Sequence, residues 1–291
     1  MAVFLRPNRA RASQKSRLPI ILSALLIGAL LVTFAGRGLP VTVRGDRWLA
    51  VADLLGNVQL ITEEGSRSAK KGDRLTRVGD GLVTDTDASA RLSVDEAVGS
   101  VTMAQNSHLR IRTLSITQNG GRVTELEVIR GQVRVRVRPF TSPESRLEIH
   151  TPVGISGVRG TDFGVTVQPN GQTAIATESG RVAVSAQGEE VVVSAGLQSI
   201  IRPGEPPTPA QAFRDDPTLN IEVLSSTPRS TVNIVGFTNT ANIVKINGET
   251  IRFNEAGRFD WETAISGDRI IRAEVVTPLG TQREYRLVVP E

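Results

Sequence analysis

The chain of 291 residues contains no cysteine. That excludes a disulfide framework, a thiolate zinc site, a thiol nucleophile and a lipid-anchor cysteine. Histidine is nearly absent too, with His108 and His150 the only two, so most imidazole-based metal and acid–base chemistry is removed. Aromatic residues are few: eight Phe, two Trp and one Tyr. With Phe expected in cores, only Trp48, Trp261 and Tyr285 remain for stacking on sugars, which disfavours a carbohydrate platform. Acidic residues are missing from the first 37 positions, which hold six of the 34 basic residues. The remaining 28 basic residues face 30 acidic ones. The high pI therefore belongs to a tail, and nucleic acid is not expected as a partner of the main body.

Residues 18–35 read LPIILSALLIGALLVTFA without a charge. At about 1.5 Å per residue this run is roughly 27 Å long, close to the ~30 Å hydrocarbon core of a bilayer. Five basic residues precede it, which keeps the N-terminus cytoplasmic and sends the bulk of the chain outward. The expectation is a basic cytoplasmic tail over 1–17 and a single transmembrane helix over 18–36. A cleaved signal peptide is the rival, although its apolar stretch is ordinarily shorter, about 7–15 residues. Either way the body lies in the periplasm or otherwise outside the cytoplasm, with the inner membrane as its anchor.

Beyond residue 45 the pattern has period two. Leu92-Ser-Val94, Val101-Thr-Met103, Leu109-Arg-Ile111, Val133-Arg-Val135-Arg-Val137 and Val182-Ala-Val184 alternate as half-buried strands do. Asn119-Gly120, Asn170-Gly171 and Asn247-Gly248 mark hairpins. Gly56, Gly131 and Gly180 each open a Gly-x-Val-x-aliphatic run, and a glycine entering a strand permits a sharp corner. The expected fold is all β. An all-β domain over 45–203 precedes a proline-rich linker over 204–219, with five prolines from Pro203 to Pro217. A small β-sandwich of about seven strands follows over 220–291, with Phe259 and Trp261 alternating toward its interior.

The segment 151–167, TPVGISGVRGTDFGVTV, carries four glycines. A phosphate cradle requires a helix after the glycines, whereas TDFGVTVQ alternates as a strand and no Lys-Ser/Thr pair follows. A catalytic turn requires a base, and His150 beside Thr151 points to the opposite face of a strand. A corner in a β fold fits better. Pro152 fixes φ, the glycines fold the chain back, and Phe163, Val165 and Val167 bury one face. Arg159 is expected to pair with a carboxylate or cap carbonyls.

Thr151-Pro152-x-Gly154-x-x-Gly157-Val158-Arg159-Gly160-Thr161-x-Phe163-x-Val165 closely resembles the signature of the FecR family's extracytoplasmic domain. The likeness continues through Glu178-Ser-Gly180-Arg-Val182 and, more loosely, upstream in Gly72-Asp73-x-Leu75 and Gly79-Asp80. It covers roughly residues 50–203. Gly154 stands where the family often has alanine. The resemblance implies a FecR-type β domain, short β-helix or barrel-like, outside the inner membrane. In its best-known members this domain relays occupancy of an outer-membrane siderophore receptor to a cytoplasmic sigma factor. Those regulators carry a folded cytoplasmic anti-sigma domain, for which the 17 residues here are too few. Their C-terminal receptor-docking subdomain is not expected either. The last unit instead resembles a bacterial immunoglobulin-like module, in Val232-Asn-Ile234-Val-Gly236, Ile246-Asn247-Gly248 and Gly257-Arg-Phe259.

Arg134, Arg136 and Arg138 share one face of a strand. They are read either as a solvated face with cross-strand partners or as a basic stripe for an anionic cell-wall polymer or an acidic envelope protein. Arg112 is placed opposite Glu127 if the Asn119-Gly120 loop has two residues. Asp80, Asp85 and Asp87 read as a solvated turn, since the order of a calcium loop is missing. No catalytic set, metal or cofactor is expected. The leading functional expectation is a membrane-anchored, non-enzymatic binding or scaffold module of the cell envelope. The alternative is a transmembrane signalling regulator related to the FecR regulators.

Overall fold

Alternation of buried and exposed residues becomes strand along most of the chain, while Gly65–Ser68 is exposed along its length and Ile243–Ile246 is buried on both faces. The computed structural model describes residues 47–95, 98–226 and 231–289, and over them the chain is all β. The basic tail and the apolar span at 18–36 lie outside the described residues.

The first part of the chain runs through β1 (Leu49–Leu55), β2 (Val58–Thr62), β3 (Gly65–Ser68), β4 (Arg74–Leu75), β5 (Gly81–Thr84), β6 (Ser89–Val94), β7 (Gly99–Met103) and β8 (His108–Ile116). It continues through β9 (Arg122–Val137), β10 (Arg146–His150), β11 (Ile155–Val158), β12 (Asp162–Val167) and β13 (Thr173–Ser179). Four more follow: β14 (Arg181–Ala186), β15 (Glu189–Ser194), β16 (Leu197–Ile201) and β17 (Gln211–Ala212). They form two layers. The front layer holds β1, β4, β6, β7, β12, β13, β16 and β17, and the back layer holds β2, β3, β5, β8, β10, β11, β14 and β15. Among the described residues β9–β10 is the one parallel pair. The layers are thus built largely from antiparallel pairs rather than from the parallel coils of a β-helix. A single core lies between them, with Leu92, Val135 and Phe163 from the front meeting Ile111, Leu126 and Ile149 from the back.

The long strand β9 belongs to both layers. Residues up to Arg130 pair with β8, and residues from Gly131 onward pair with β12. The switch occurs at Gly131, which has φ 86°. A Cβ there would overlap the backbone of buried Ser107, whose hydroxyl accepts from Gln132 N and donates to Gln132 O. Gly56 and Gly180 make the same front-to-back switch, between β1 and β2 and between β13 and β14, with φ 69° and 82°. The three Gly-x-Val-x-aliphatic runs are therefore equivalent corners, at which a positive φ is open to glycine at low cost.

The turns are of two kinds. Asn247 and Gly248 both have positive φ, and Ile246 pairs with Glu249, giving the expected two-residue hairpin. At Asn119-Gly120 and Asn170-Gly171 only the glycine has positive φ. Three residues then separate Thr117 from Gly121 and Gln168 from Gln172, each pair joined by a backbone hydrogen bond. With a bulge at Arg112, this moves the β8–β9 register by two, so that Arg110 rather than Arg112 stands opposite Glu127.

The last seven strands are β18 (Asn220–Ser226), β19 (Thr231–Phe237), β20 (Ile243–Ile246), β21 (Glu249–Thr250), β22 (Arg258–Ala264), β23 (Ile270–Val276) and β24 (Gln282–Val288). One sheet is ordered β18-β19-β22 and the other β21-β20-β23-β24. Their inner faces meet over Val232, Ile234, Val244, Ile246, Phe259 and Ile271, with Trp261 packed at the margin.

Residues 46–291 make one compact unit. The seam between the two-layer part and the C-terminal sheets is built from side chains that bond to backbone. Gln132 Nε2 donates to Thr277 O at 2.6 Å and Pro278 O at 3.0 Å, Gln168 Nε2 to Asn242 O at 2.5 Å, and Gln172 Nε2 to Thr240 O at 3.0 Å. Ala174, Ile200 and Ala241 add a small apolar contact. Gly164 lets the Pro278 carbonyl approach so closely that any Cβ would overlap it. The proline-rich segment runs along this unit, with β17 paired to β16 and the Asp215 carboxylate bonded to the Thr277 and Thr281 hydroxyls.

Candidate functional site

The arginine row lies on the outer side of the front layer. Val133, Val135 and Val137 point into the core, so Arg134, Arg136 and Arg138 point outward. The neighbouring strands set what stands beside them. Thr102 and Gly164 flank Arg134, while Ser100 and Asp162 flank Arg136.

The three arginines have different surroundings. Arg134 is clamped: Nε and Nη2 donate to the two Asp162 oxygens at 2.8 and 2.9 Å, and Nη1 donates to Leu279 O at 2.8 Å. It is a structural arginine at the seam. Arg136 gives only Nε to Asp162, at 2.9 Å, and remains 60% exposed. Arg138 is exposed, and its guanidinium has no partner among the described residues. Partial burial opposes ionisation of Asp162, but the hydrogen bonds from Arg134 and then Arg136 outweigh it and hold the carboxyl below its ordinary value. The same bond with Asp162 raises the Arg134 pKa.

At the far end of the row an open cavity of about 520 Å³ has Ser100, Arg136, Arg138, Gly160, Asp162 and Ser179 in its lining. It adjoins the glycine motif. Thr151 N donates to Gly154 O, and the Thr151 hydroxyl accepts from Gly154 N, closing a tight turn around exposed Pro152. Val158 and Phe163 are buried in the core. Thr161 is buried, its N bonded to Val137 O and its hydroxyl donating to Arg181 O. Gly160 packs against Pro139. Arg159 departs from the expectation. Its side chain is exposed with no partner among the described residues, because only its carbonyl is engaged, by Phe140 N. The motif is thus mainly a corner, with one free guanidinium displayed on it.

The outer side of the back layer carries a second charged surface. Glu127 takes Arg110 and, at 3.8 Å, Arg112. Arg146 bridges Glu125 at 3.4 Å and Glu148 at 2.8 Å, and His150 Nε2 lies 3.3 Å from Glu148. Glu125, Glu148 and His150 converge closely enough to hold an ion. Arg146 already neutralises both carboxylates, so the group serves as a charge ladder. Of the three expected turn carboxylates, Asp80 is buried and accepts from Thr76 N and Arg77 N, capping a loop. The pattern of turn residues did not reveal this role.

Sequence reasoning also missed Arg47. Its guanidinium is buried against Asp95 at 2.9 Å and donates to Ser115 O at 2.9 Å and to the Thr124 hydroxyl at 2.6 Å. The only signal available was an arginine just before the first apolar strand.

Residues 80–183 match the family model described as FecR protein. No curated protein matches the sequence. Two crystal structures are remotely similar, each of a candidate anti-sigma factor from Parabacteroides distasonis ATCC 8503. The first, at 1.65 Å, is 15% identical with a TM-score of 0.37, over 47% of this chain and 60% of that one. The second, at 2.50 Å, is 14% identical with a TM-score of 0.39, over 52% of this chain and 69% of that one.

Proposed function

Since residues 80–183 carry a FecR domain, we propose that the chain is a signalling regulator of the FecR type. In this reading residues 18–36 anchor it in the bacterial inner membrane. The β domains stand in the periplasm, the basic tail contacts a cytoplasmic regulator, and the C-terminal sheets form an immunoglobulin-like module. The protein works by binding, without chemistry of its own. Its extracytoplasmic partner is an envelope protein.

The single observation that carries this reading is the extent of the family match. It runs from β5 into β14 and takes in the crossing strand β9, the arginine row and the glycine motif. A scaffold role needs none of these to be of one family, so the regulator reading is preferred to it.

The experiment removes residues 2–14 from the chromosomal copy and measures transcripts genome-wide. A defined set of transcripts is expected to change, while the protein stays membrane-bound by fractionation. An unchanged transcriptome with intact anchoring would leave the scaffold reading in its place. A C-terminal alkaline phosphatase fusion should be active, and inactivity would overturn the orientation.

A further inference from the structure

The geometry points to the cavity between Arg136 and Arg138 as a recognition site for an acidic peptide segment in extended conformation, with carboxylates two residues apart. The identity of the partner as a protein rests on the regulator reading; the preference of the site for carboxylates does not.

Charge along the row is uneven. Asp162, Glu178 and Asp215 all act on Arg134, and Asp162 also lines the cavity, where its two oxygens are taken up by Arg134 and Arg136. Toward the cavity the balance changes. Arg136 gives Asp162 a single donor, which leaves both Nη groups free, and Arg138 has no partner among the described residues. Ser100 and Ser179 add two hydroxyls to the lining, neither bonded among the described residues. A guanidinium fork binds a carboxylate through two parallel N–H donors, and here two forks are available two residues apart, at the end of β9 and just past it.

Their spacing selects the ligand. Arg136 on β9 and Arg138, the residue just past its end whose N still bonds to Val98 O, are alternate residues of the chain, and at strand spacing their Cα atoms are about 6.6–6.8 Å apart. An extended peptide repeats its same-face side chains at the same interval. Carboxylates at alternate positions therefore meet both forks at once, whereas adjacent carboxylates point to opposite sides. β7 and β12 already occupy both edges of this part of β9. Recognition is thus by side chains on the sheet face and not by strand addition.

The test uses the full chain in detergent micelles and fluorescence anisotropy. The probe is a fluorescein-labelled decapeptide of alternating Asp and Ser. Comparators are the same composition with the Asp residues contiguous, an alternating Lys–Ser peptide, and inorganic phosphate as competitor. The alternating Asp peptide should bind best. Arg138→Glu should weaken it by about tenfold or more, as expected for loss of a charge-assisted pair. Arg136→Gln should weaken it less, and Arg146→Gln, on the back layer, should leave it unchanged. Retained binding in Arg138→Glu, at an unaltered thermal midpoint, would overturn the site. Equal binding of the contiguous peptide, or displacement by phosphate at matched charge, would overturn the extended-peptide assignment. The tail deletion removes none of the residues that line this cavity. A silent transcriptome with intact peptide binding would therefore remove the regulator reading alone, and the reverse pattern would remove the site alone.

Discussion

Two strands of this protein carry arginine at alternate positions, and they are used in opposite ways. On β8 of the back layer, Arg110 and Arg112 face Glu127 across the hairpin. On β9 of the front layer, one carboxylate, Asp162, serves both Arg134 and Arg136, and Arg138, just past the strand's end, has none among the described residues. The sequence signature is the same. The partner strand makes the difference, because β9 pairs with β12 through residues about thirty positions away, whereas β8 pairs with its hairpin neighbour. A charged alternation therefore says which face is wet. Whether that face is saturated depends on the register of the neighbour.

The comparison extends to Arg47, the most completely paired arginine of the structure's described part. Its side chain is 6% exposed and that of Asp95 is 8% exposed. Among the described residues, Arg47→Ala leaves Asp95 with only the half-exposed Arg122 as a charged partner, at 3.2 Å. The expected loss is about 3–5 kcal/mol by urea unfolding, the range for breaking a buried pair by removing one partner. A loss below about 1 kcal/mol, the range of exposed pairs, would show that burial does not separate this arginine from the others. Gly164→Val comes next. It inserts a side chain where the Pro278 carbonyl sits, and overpacking of this kind costs about 1–3 kcal/mol. Limited proteolysis should then cut between residues 204 and 219 first, as the C-terminal sheets come away from the arginine row. A cleavage pattern like that of the parent would mean that the seam tolerates the side chain.

Much of this was legible from residues. Period-two alternation marked the strands, and the three Gly-x-Val-x-aliphatic runs marked the corners between layers. In the glycine motif the legible part was the strand that follows it, where Phe163, Val165 and Val167 are buried at strand spacing. The Asn-Gly turns were only partly legible. Pro169 precedes Asn170 and fixes a negative φ at the first loop position, which suits a three-residue loop. The Thr117 hydroxyl accepts from Gly121 N and favours the same form. The pairing of Arg47 with Asp95, and of Gln132, Gln168 and Gln172 with carbonyls of the C-terminal sheets, was not legible. Such bonds join an isolated side chain to distant backbone, and no local period records them.

The Arg134–Asp162 pair is sensitive to pH. The folded Asp162 pKa lies below its ordinary value, so its contribution is present above the unfolded value of about 3.9. It is lost as pH falls through the lower, folded value. Asp162→Asn should therefore flatten the acid limb of the stability curve below about pH 4 and leave the limb above pH 5 unaltered in shape. Parallel curves for parent and variant would show that the pair adds no pH dependence.

The smallest effect is expected at the end of the row. Arg138→Ala removes an exposed side chain with no partner among the described residues, and surface changes of this kind stay within about ±0.5 kcal/mol. Arg110→Ala removes a cross-strand partner of Glu127 on the back layer and should cost up to about 1 kcal/mol. The ordering matters more than either value. If the two variants unfold at the same urea concentration in low salt, the pairing of Arg110 adds nothing and the two faces are energetically alike. If Arg110→Ala alone loses stability, and the difference fades as salt screens the exposed pair, then the back face spends its charges on the fold. The front face in that case keeps Arg138 free of structural duty and available to a ligand.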